Sequence, residues 1–246
     1  MRYIASCSGG KDSVAQLILA KEHGEPLDEV VYCEVMFSPE ISGEMPEHRD
    51  FVYRTVKPFV EGVIGCNFRV LRAKRTYSDC FAAEVTRGKN IGKVRGYPLA
   101  GRCWANRDCK VEPITKFWKA IGDDVIQYVG IAADEPKRLE RLRGTNLVSL
   151  LEKYNVAERD AKRLCEKYGM LSPVYRITSR NGCWFCPFCK EAEWEHMINK
   201  HEDIFDRLID LENKYPDRAQ TMLTYTETAA QLKRRILSYG EQMKLF

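Results

Sequence analysis

The fold is decided near the start of the chain, by YIASCSGGKDSVAQLILAKEHG at residues 3–24. Its first residues form a short apolar run that is typical of a buried strand, and two adjacent glycines follow. From Asp12 onward apolar residues recur at helical spacing on one face, and Gly24 is placed to end that helix. The stretch therefore predicts a strand, a tight loop and a helix in succession.

The same alternation continues along the chain. Further strands are predicted at residues 29–37, 68–73 and 124–135, and further helices at 46–63 and 113–122. Repeated strand and helix units with apolar strands are typical of a mostly parallel sheet whose two faces are covered by helices. The sequence therefore predicts an α/β fold, doubly wound and Rossmann-like, with ligands bound beyond the carboxyl ends of the strands.

The pattern changes from about residue 190, where apolar residues follow helical spacing and no strand is predicted. We therefore expect a nucleotide-binding α/β domain at residues 1–180 and a cysteine-containing, helical region at 181–246. A hydrophobic content of 44% without a run of eighteen apolar residues excludes a membrane span. The start of the chain has no signal-peptide pattern, so we expect a cytoplasmic protein.

The SGGKDS loop at residues 8–13 has the composition of a phosphate-binding site. Its adjacent glycines allow a sharp turn that brings backbone N–H groups close to an anion, and the following helix points its positive dipole end at the same place. Lys11 adds a cation, and Ser8 and Ser13 add hydroxyl groups. The spacing is neither the Walker pattern nor the GxGxxG fingerprint. The loop is predicted to bind nucleotide phosphates. The alternative is a turn that binds no ligand.

This loop resembles the pyrophosphate loop of the PP-loop ATP pyrophosphatases, the adenine nucleotide alpha hydrolase superfamily, whose fold is a parallel α/β sheet. GIAADEPKRLERL at 130–142 and SPVYRITSRNGCWFCP at 172–187 resemble elements of its phosphoadenosine phosphosulfate (PAPS) reductase family. The resemblance spans most of residues 1–190 and implies Lys11 and Asp12 as catalytic residues. The nucleotide contacts that it implies are Ser8, Gly9, Gly10, Lys11, Asp12, Ser13, Gly130, Asp134, Glu135 and Arg138.

The resemblance also implies a reaction. Members with a KDS loop cleave ATP to AMP and pyrophosphate and adenylylate a carbonyl or carboxylate, which sulfur or nitrogen then displaces. We therefore expect a sulfurtransferase-like enzyme acting on a nucleobase in tRNA, DNA or a small molecule, with ATP, Mg²⁺ and a sulfur donor. Asp12, Asp134 or Glu135 are the candidates for holding Mg²⁺. Arg138 contacts either the nucleotide or one of the neighbouring carboxylates.

Two other functions stay open at this point. One is a sulfonucleotide reductase. Reductases of this family carry a catalytic cysteine in a C-terminal motif, whereas this sequence has no cysteine after Cys189. The other is a nucleotide-binding regulator that catalyses nothing. The presence of Lys11 and Asp12 in the loop argues against the regulator.

The second motif is the cysteine triad, Cys183, Cys186 and Cys189, in GCWFCPFCK. Three thiolates at this pitch wrap a single metal centre, because each two-residue gap forms a tight turn. The expected fourth ligand is Cys103, with Cys109 as the alternative, since the sequence leaves the choice between them open. The other five cysteines are expected to be buried thiols without a metal: Cys7, Cys33, Cys66, Cys80 and Cys165.

Zinc and a 4Fe-4S cluster both suit four cysteines. Zinc would make the site a structural clip. A cluster held by three cysteines would leave one iron open to sulfur, which resembles certain tRNA thiolation enzymes of the superfamily. Because three ligands are clustered and the fourth is uncertain in position, we favour the iron-sulfur cluster, with zinc as the alternative.

Basic residues concentrate in one segment, 87–110, which carries seven Lys and Arg residues against a single acidic residue. Tyr97 and Trp104 are interleaved with them, as on a surface that binds a phosphate backbone and stacks bases, so tRNA or DNA is the expected partner, with a solvated basic loop as the alternative. The terminal QMKLF at 242–246 resembles the peptide that docks on bacterial DNA sliding clamps, although five residues are a weak signal.

Overall fold

The computed structural model describes residues 1–99, 103–179 and 182–243, of which 239–243 are described by their backbone alone. The segments group into two compact units. The first unit consists of Met1–Glu34, Met45–Arg72 and Pro113–Asn181. The second unit consists of Val35–Glu44, Ala73–Glu112 and Gly182–Phe246. These units are interleaved along the chain, and the predicted division into contiguous domains at residue 180 stays a prediction.

The first unit contains a five-stranded sheet, and the second a two-stranded one. The strands of the described residues are β1 (Arg2–Ser6), β2 (Glu29–Cys33), β3 (Asn67–Leu71), β4 (Val94–Gly96), β5 (Val125–Tyr128), β6 (Leu147–Val148) and β7 (Arg218–Gln220). The larger sheet has the order β3-β2-β1-β5-β6, and all of its pairs are parallel. Chain order reverses between β1 and β5, so the loops that follow these two strands flank the switch point of the sheet.

Helices cover both faces of the larger sheet. The α-helices are α1 (Lys11–His23), α2 (Pro46–Phe51), α3 (Tyr77–Phe81), α4 (Trp104–Asn106), α5 (Glu112–Ile121), α6 (Pro136–Leu139), α7 (Leu150–Lys153), α8 (Glu158–Lys167), α9 (Glu191–Lys200), α10 (Glu202–Lys214) and α11 (Ala229–Met243). π-helical stretches run over Val52–Val56, Phe59–Ile64 and Arg107–Val111, and 3-10 turns over Glu140–Leu142 and Pro173–Arg176.

Side chains alternate between the two faces of the sheet, as the apolar strands require. Ala5 belongs to the main core, in which α1, α7 and α8 also bury apolar residues. Its neighbour Ile4 faces the other way, into a smaller cluster with Val31, Val125 and Phe117 of α5. The predicted doubly wound, mostly parallel α/β fold is therefore confirmed.

The first predicted strand, loop and helix are also confirmed. Val14, Leu17 and Ile18 are fully buried on one face of α1. Gly24 ends the helix in the left-handed conformation, and its N–H donates to the carbonyl of Ala20. No described helix is long and apolar enough to cross a membrane.

The prediction that no strand follows residue 190 is wrong. β7 pairs in parallel with β4, with Val94 opposite Arg218 and Gly96 opposite Gln220. The strand has only three residues, too few for an alternating pattern to show in the sequence. It is held in place by Arg218, whose guanidinium donates to the carbonyls of Tyr215 and Thr221.

Candidate functional site

The SGGKDS loop leaves the carboxyl end of β1 and starts α1, as predicted. Gly9 has φ +75°, the left-handed region that favours glycine. A Cβ on Gly9 would lie 2.6 Å from Cγ2 of Val52 and 2.8 Å from Cε1 of His48. The position therefore requires glycine both for its backbone angle and for close packing.

Hydrogen bonds within the loop fix its two serines. Ser13 Oγ accepts from the backbone N–H of Ser8 at 3.1 Å and donates to the carbonyl of Gly10 at 2.8 Å. Since Ser13 is tied to the backbone in this way, its first role is to shape the loop. Ser8 Oγ lies 3.3 Å from Ser13 Oγ and shares this arrangement.

His48 supports the loop from α2, and nothing in the sequence predicts this role. Its Nε2 lies 2.9 Å from the carbonyl oxygen of Ser8, and its Nδ1 lies 2.9 Å from Oγ of Ser172. Because a carbonyl oxygen only accepts, Nε2 carries a proton. His48 thus links the loop to Ser172, the first residue of the SPVYRITSRNGCWFCP stretch at 172–187.

Lys11 is held between two carboxylates. Its Nζ lies 2.9 Å from Asp12 and 2.8 Å from Glu158, and only 11% of its side chain is exposed. Burial opposes the charge, but Glu158 and Asp12 together raise the pKa of Lys11, so the side chain is a cation. The backbone N–H of Lys11 donates to the hydroxyl of Tyr175 at 3.0 Å. Glu158 comes from α8, far along the chain, and sequence reasoning missed it.

The GIAADE motif packs directly on this loop. A Cβ on Gly130 would lie 2.7 Å from the backbone N of Ser13 and 2.8 Å from the carbonyl carbon of Asp12. The two predicted motifs are therefore brought together at the switch point of the sheet, and only glycine permits that approach.

The acidic residues of GIAADE have separate partners. Asp134 accepts from the backbone N–H of Glu158 at 3.0 Å, at the start of α8. Glu135 accepts from the N–H of Ala132 at 3.1 Å and pairs with Arg138 at 2.6 Å. The sequence leaves open whether Arg138 contacts the nucleotide or a neighbouring carboxylate. In the structure it contacts the carboxylate of Glu135.

Negative charge accumulates beside the loop. Burial and the charges of Glu158 and Glu135 raise the pKa of Asp12, although Lys11 opposes the shift. A divalent cation would relieve this repulsion, and carboxylates are the ligands that Mg²⁺ prefers. Of the three predicted magnesium ligands, Asp12 and Glu135 interact with each other, whereas Asp134 contributes to the start of α8.

A cavity of about 410 Å³ lies in the first unit. Its wall includes Ser172 and Tyr175, which bind His48 and the Lys11 N–H, and two cations, Lys162 and Arg176. The cavity thus shares wall residues with the framework of the SGGKDS loop.

The cysteine triad forms two successive tight turns in the second unit. The N–H of Cys186 donates to the carbonyl of Cys183 at 3.1 Å, and the N–H of Cys189 donates to the carbonyl of Cys186 at 2.9 Å. Cys183 forms an antiparallel bridge with Glu44. Burial and the nearby Glu44 raise the pKa of the Cys183 thiol, so a positive centre is needed to hold it as a thiolate.

Six of the ten cysteines belong to the second unit: Cys80, Cys103, Cys109, Cys183, Cys186 and Cys189. Cys103 stands at the start of α4, where its sulfur accepts from the N–H of Asn106 at 3.4 Å. Cys109 is buried, and its sulfur lies 4.0 Å from that of Cys80. Cys80 was expected to be an isolated buried thiol, and it is buried but not isolated.

The other four cysteines belong to the first unit, and their lack of a metal stays a prediction. Cys7, Cys33 and Cys165 are buried, and Cys66 is half-buried. Burial raises the pKa of Cys165 to about 12 and that of Cys66 to about 11. No disulfide is present in the described part of the chain, which includes all ten cysteines.

The chemistry of the second unit fits a thiolate-bound metal centre. The hydroxyl of Tyr77 is buried without a hydrogen-bond partner among the described residues. The hydroxyl interacts electrostatically with four cysteines: Cys103, Cys109, Cys183 and Cys186. Cysteines from two separate segments, Cys103 and the triad, are the residues here that could hold a cysteine-bound centre.

The predicted base-stacking surface is wrong. Tyr97 is 2% exposed and Trp104 8%, and both belong to the core of the second unit. Asp108 neutralises part of the segment, because it pairs with Arg95 and Arg107. Arg87, Lys89 and Lys93 are exposed cations. Arg102 lies outside the described residues.

The QMKLF peptide falls largely outside the described residues, which end at Met243 in α11. Its docking on a sliding clamp stays a prediction.

No protein-family model matches the sequence, and a comparison with curated proteins finds no match. Among solved structures, the chain is similar to the U34-tRNA thiolase NcsA from Methanococcus maripaludis with its 4Fe-4S cluster. The identity is 16%, the likeness covers 99% of this chain and 71% of that one, and the TM-score is 0.41.

Proposed function

We propose that the chain is a PP-loop enzyme that adenylylates a nucleobase with ATP and then replaces the activated oxygen with sulfur. The observation that supports it most is the SGGKDS loop at the switch point, where Lys11 stands beside the N-terminus of α1 and Gly130 packs on the loop. Backbone N–H groups, a helix dipole and a cation at one place suit the phosphates of a nucleotide.

The proposed reaction has two substitutions. A carbonyl oxygen of the base attacks the α-phosphorus of ATP, the bond to the β-phosphate oxygen breaks, and pyrophosphate leaves. A sulfur donor at the hydrosulfide level then forms a bond to the carbon, and the oxygen departs with AMP. Adenylylation converts a poor leaving oxygen into a good one, and no oxidant is consumed.

Lys11 would stabilise the departing pyrophosphate. It is a cation, and one of its partners, Glu158, is 59% exposed and therefore easily exchanged for a phosphate oxygen. Charge that develops on the leaving group is stabilised by such a preorganised cation. Asp12 and Glu135 are the proposed magnesium ligands, because their mutual repulsion favours a divalent cation.

The cysteine triad would hold a 4Fe-4S cluster, with Cys103 as the fourth ligand. Cys103 is preferred over Cys109 because its sulfur already accepts from a backbone N–H, as a thiolate does, whereas Cys109 donates to Cys80. A cluster held by all four cysteines would have no open iron, whereas a cluster held by the triad alone would offer an iron site for the sulfur that is transferred. Zinc bound by the same ligands would be a structural site that joins the two segments carrying the cysteines.

The fourth ligand is tested by comparing Cys103→Ser with Cys109→Ser after anaerobic reconstitution. We expect Cys103→Ser to lose most of the cluster absorption or to convert it to a 3Fe form by electron paramagnetic resonance. Cys109→Ser should keep the iron content of the wild type. The reverse result would assign Cys109, and full iron in both variants would show that the triad suffices.

One experiment tests the function. The protein is purified without air, its iron, zinc and visible absorption are measured, and ATP is added with tRNA or DNA while pyrophosphate release is followed. We expect a brown iron protein that releases pyrophosphate with an acceptor present. A colourless zinc protein that releases none contradicts the proposal, and release of adenosine bisphosphate and sulfite from PAPS would establish the reductase instead.

A further inference from the structure

The hydroxyl of Tyr77, in the second unit, is fully buried and makes no hydrogen bond within the described residues, as is also the case for Nε1 of the neighbouring Trp104. Leaving a buried hydroxyl without a partner is unfavourable, because the group loses its hydrogen bonds to water and gains none in return. Native proteins carry few such groups, and those that persist have a role or a missing partner.

The ring of Tyr77 is fixed on several sides by aromatic neighbours. Its centroid lies 3.9 Å from that of Phe185, 5.1 Å from Trp104 and 5.5 Å from Phe37. The backbone is fixed as well, since Tyr77 starts α3 behind a capping box made by Thr76 and its N–H donates to the carbonyl of Met36. The hydroxyl therefore cannot rotate away to solvent.

Phe185 places this ring beside the cysteine triad, because it stands between Cys183 and Cys186 in the sequence. Burial, and then the nearby Cys103, Cys183, Cys186 and Cys109, raise the pKa of Tyr77 well above its usual range. No described cysteine sulfur accepts a hydrogen bond from this hydroxyl, so an acceptor would have to come from the bound group.

We propose that the Tyr77 hydroxyl donates a hydrogen bond to a sulfur of the iron-sulfur cluster held by the cysteine triad, and is a positioning residue that raises the reduction potential of that cluster. The inference rests on the proposed function, from which it takes the cluster. A donor to sulfur favours the reduced, more negative state of a cluster, so it moves the potential upward.

The chain offers a matched control in Tyr97. This tyrosine is also buried in the second unit, but its hydroxyl donates to Glu212 at 2.9 Å. Tyr97→Phe therefore removes a hydroxyl of the same kind that already has a partner within the protein. An effect shared by both variants would reflect loosened packing and not a bond to the cluster.

The experiment measures the midpoint potential of the reconstituted cluster by redox titration in the wild type, Tyr77→Phe and Tyr97→Phe, together with iron content and the rate of iron loss to a chelator. We expect a more negative potential and faster iron loss in Tyr77→Phe alone, at full iron content. Tyr77→Phe removes no ring contact, so the fold should be kept, and circular dichroism checks this.

An iron protein in which Tyr77→Phe keeps the wild-type potential, or in which Tyr97→Phe shifts it equally, overturns the inference and leaves the proposed function standing. A wild-type protein that holds zinc overturns the inference together with the cluster. A failure of pyrophosphate release with the potential shift intact contradicts the adenylylation and leaves the role of Tyr77 supported.

Discussion

The SGGKDS loop in the first unit and the cysteine triad in the second differ in how far the polypeptide completes them. Around the loop, Lys11 has two carboxylates, Ser13 has backbone partners on both sides and His48 secures the Ser8 carbonyl. Around the triad, the Tyr77 hydroxyl lacks a partner among the described residues and the pKa of Cys183 is raised. The loop is shaped by its own chain, whereas the bonding of the thiols would be completed by the proposed metal centre.

The variant Lys11→Ala tests whether the loop and the cysteine triad act separately. Of the variants considered, it should change turnover most. Removing a cation that stabilises a leaving group costs roughly 10²–10³-fold in turnover. We therefore expect pyrophosphate release to fall by about that factor while iron content is unchanged, because Lys11 belongs to the first unit and the triad to the second.

The matched control is Lys21→Ala, which removes an exposed lysine from the same helix. It should turn over at the wild-type rate. Unchanged turnover in Lys11→Ala would mean that the loop does not grip the leaving phosphates, and loss of iron in that variant would mean that the two regions do not form independently.

How much of each region could be predicted follows from how local its contacts are. The loop is six consecutive residues between a strand and a helix, so its place and chemistry could be inferred from the sequence. Glu158 and His48 could not, because their contacts with the loop depend on how distant helices pack. For the same reason, the sequence could not predict that Tyr77 lies near the cysteines or that Cys80 contacts Cys109.

The base-stacking prediction failed for a related reason. Aromatic residues interleaved with cations have the same pattern whether the rings are exposed or buried. Tyr97 donates to Glu212 and Trp104 stacks on Tyr77, contacts that come from elsewhere in the chain. Composition alone could not distinguish a core aromatic from one that stacks on bases.

Gly130→Ala tests whether the two motifs of the first unit must touch. The new Cβ would meet backbone atoms of Ser13 and Asp12 at 2.7–2.9 Å, which no rotamer change can relieve. We expect a loss of about 1–3 kcal/mol in the free energy of unfolding, as for other overpacked sites, and a weaker apparent affinity for ATP. Both are measured by denaturant titration and by the ATP dependence of pyrophosphate release.

Gly62→Ala is the control for this change. Nothing lies within 4 Å of a Cβ at Gly62, which stands in the helical stretch Phe59–Ile64. Alanine there should leave ATP affinity unchanged and stabilise the protein slightly, since glycine is a poor helix former. If Gly130→Ala behaves in the same way, the close packing of the motifs has no functional importance.

The smallest expected effect concerns a polyanionic partner. Arg87 and Lys89 lie on an exposed turn that is closed by a hydrogen bond from the N–H of Val85 to the carbonyl of Lys93. Each phosphate contact adds about 0.7–0.9 to the slope of log affinity against log salt concentration. The double variant Arg87→Ala, Lys89→Ala should therefore lower that slope for tRNA or DNA by about 1.4–1.8 and weaken binding modestly, whereas Arg54→Ala, an exposed cation of the first unit, should not. An unchanged slope in the double variant would remove this turn from the nucleic-acid surface, and the acceptor would then be a small molecule or would bind through other cations.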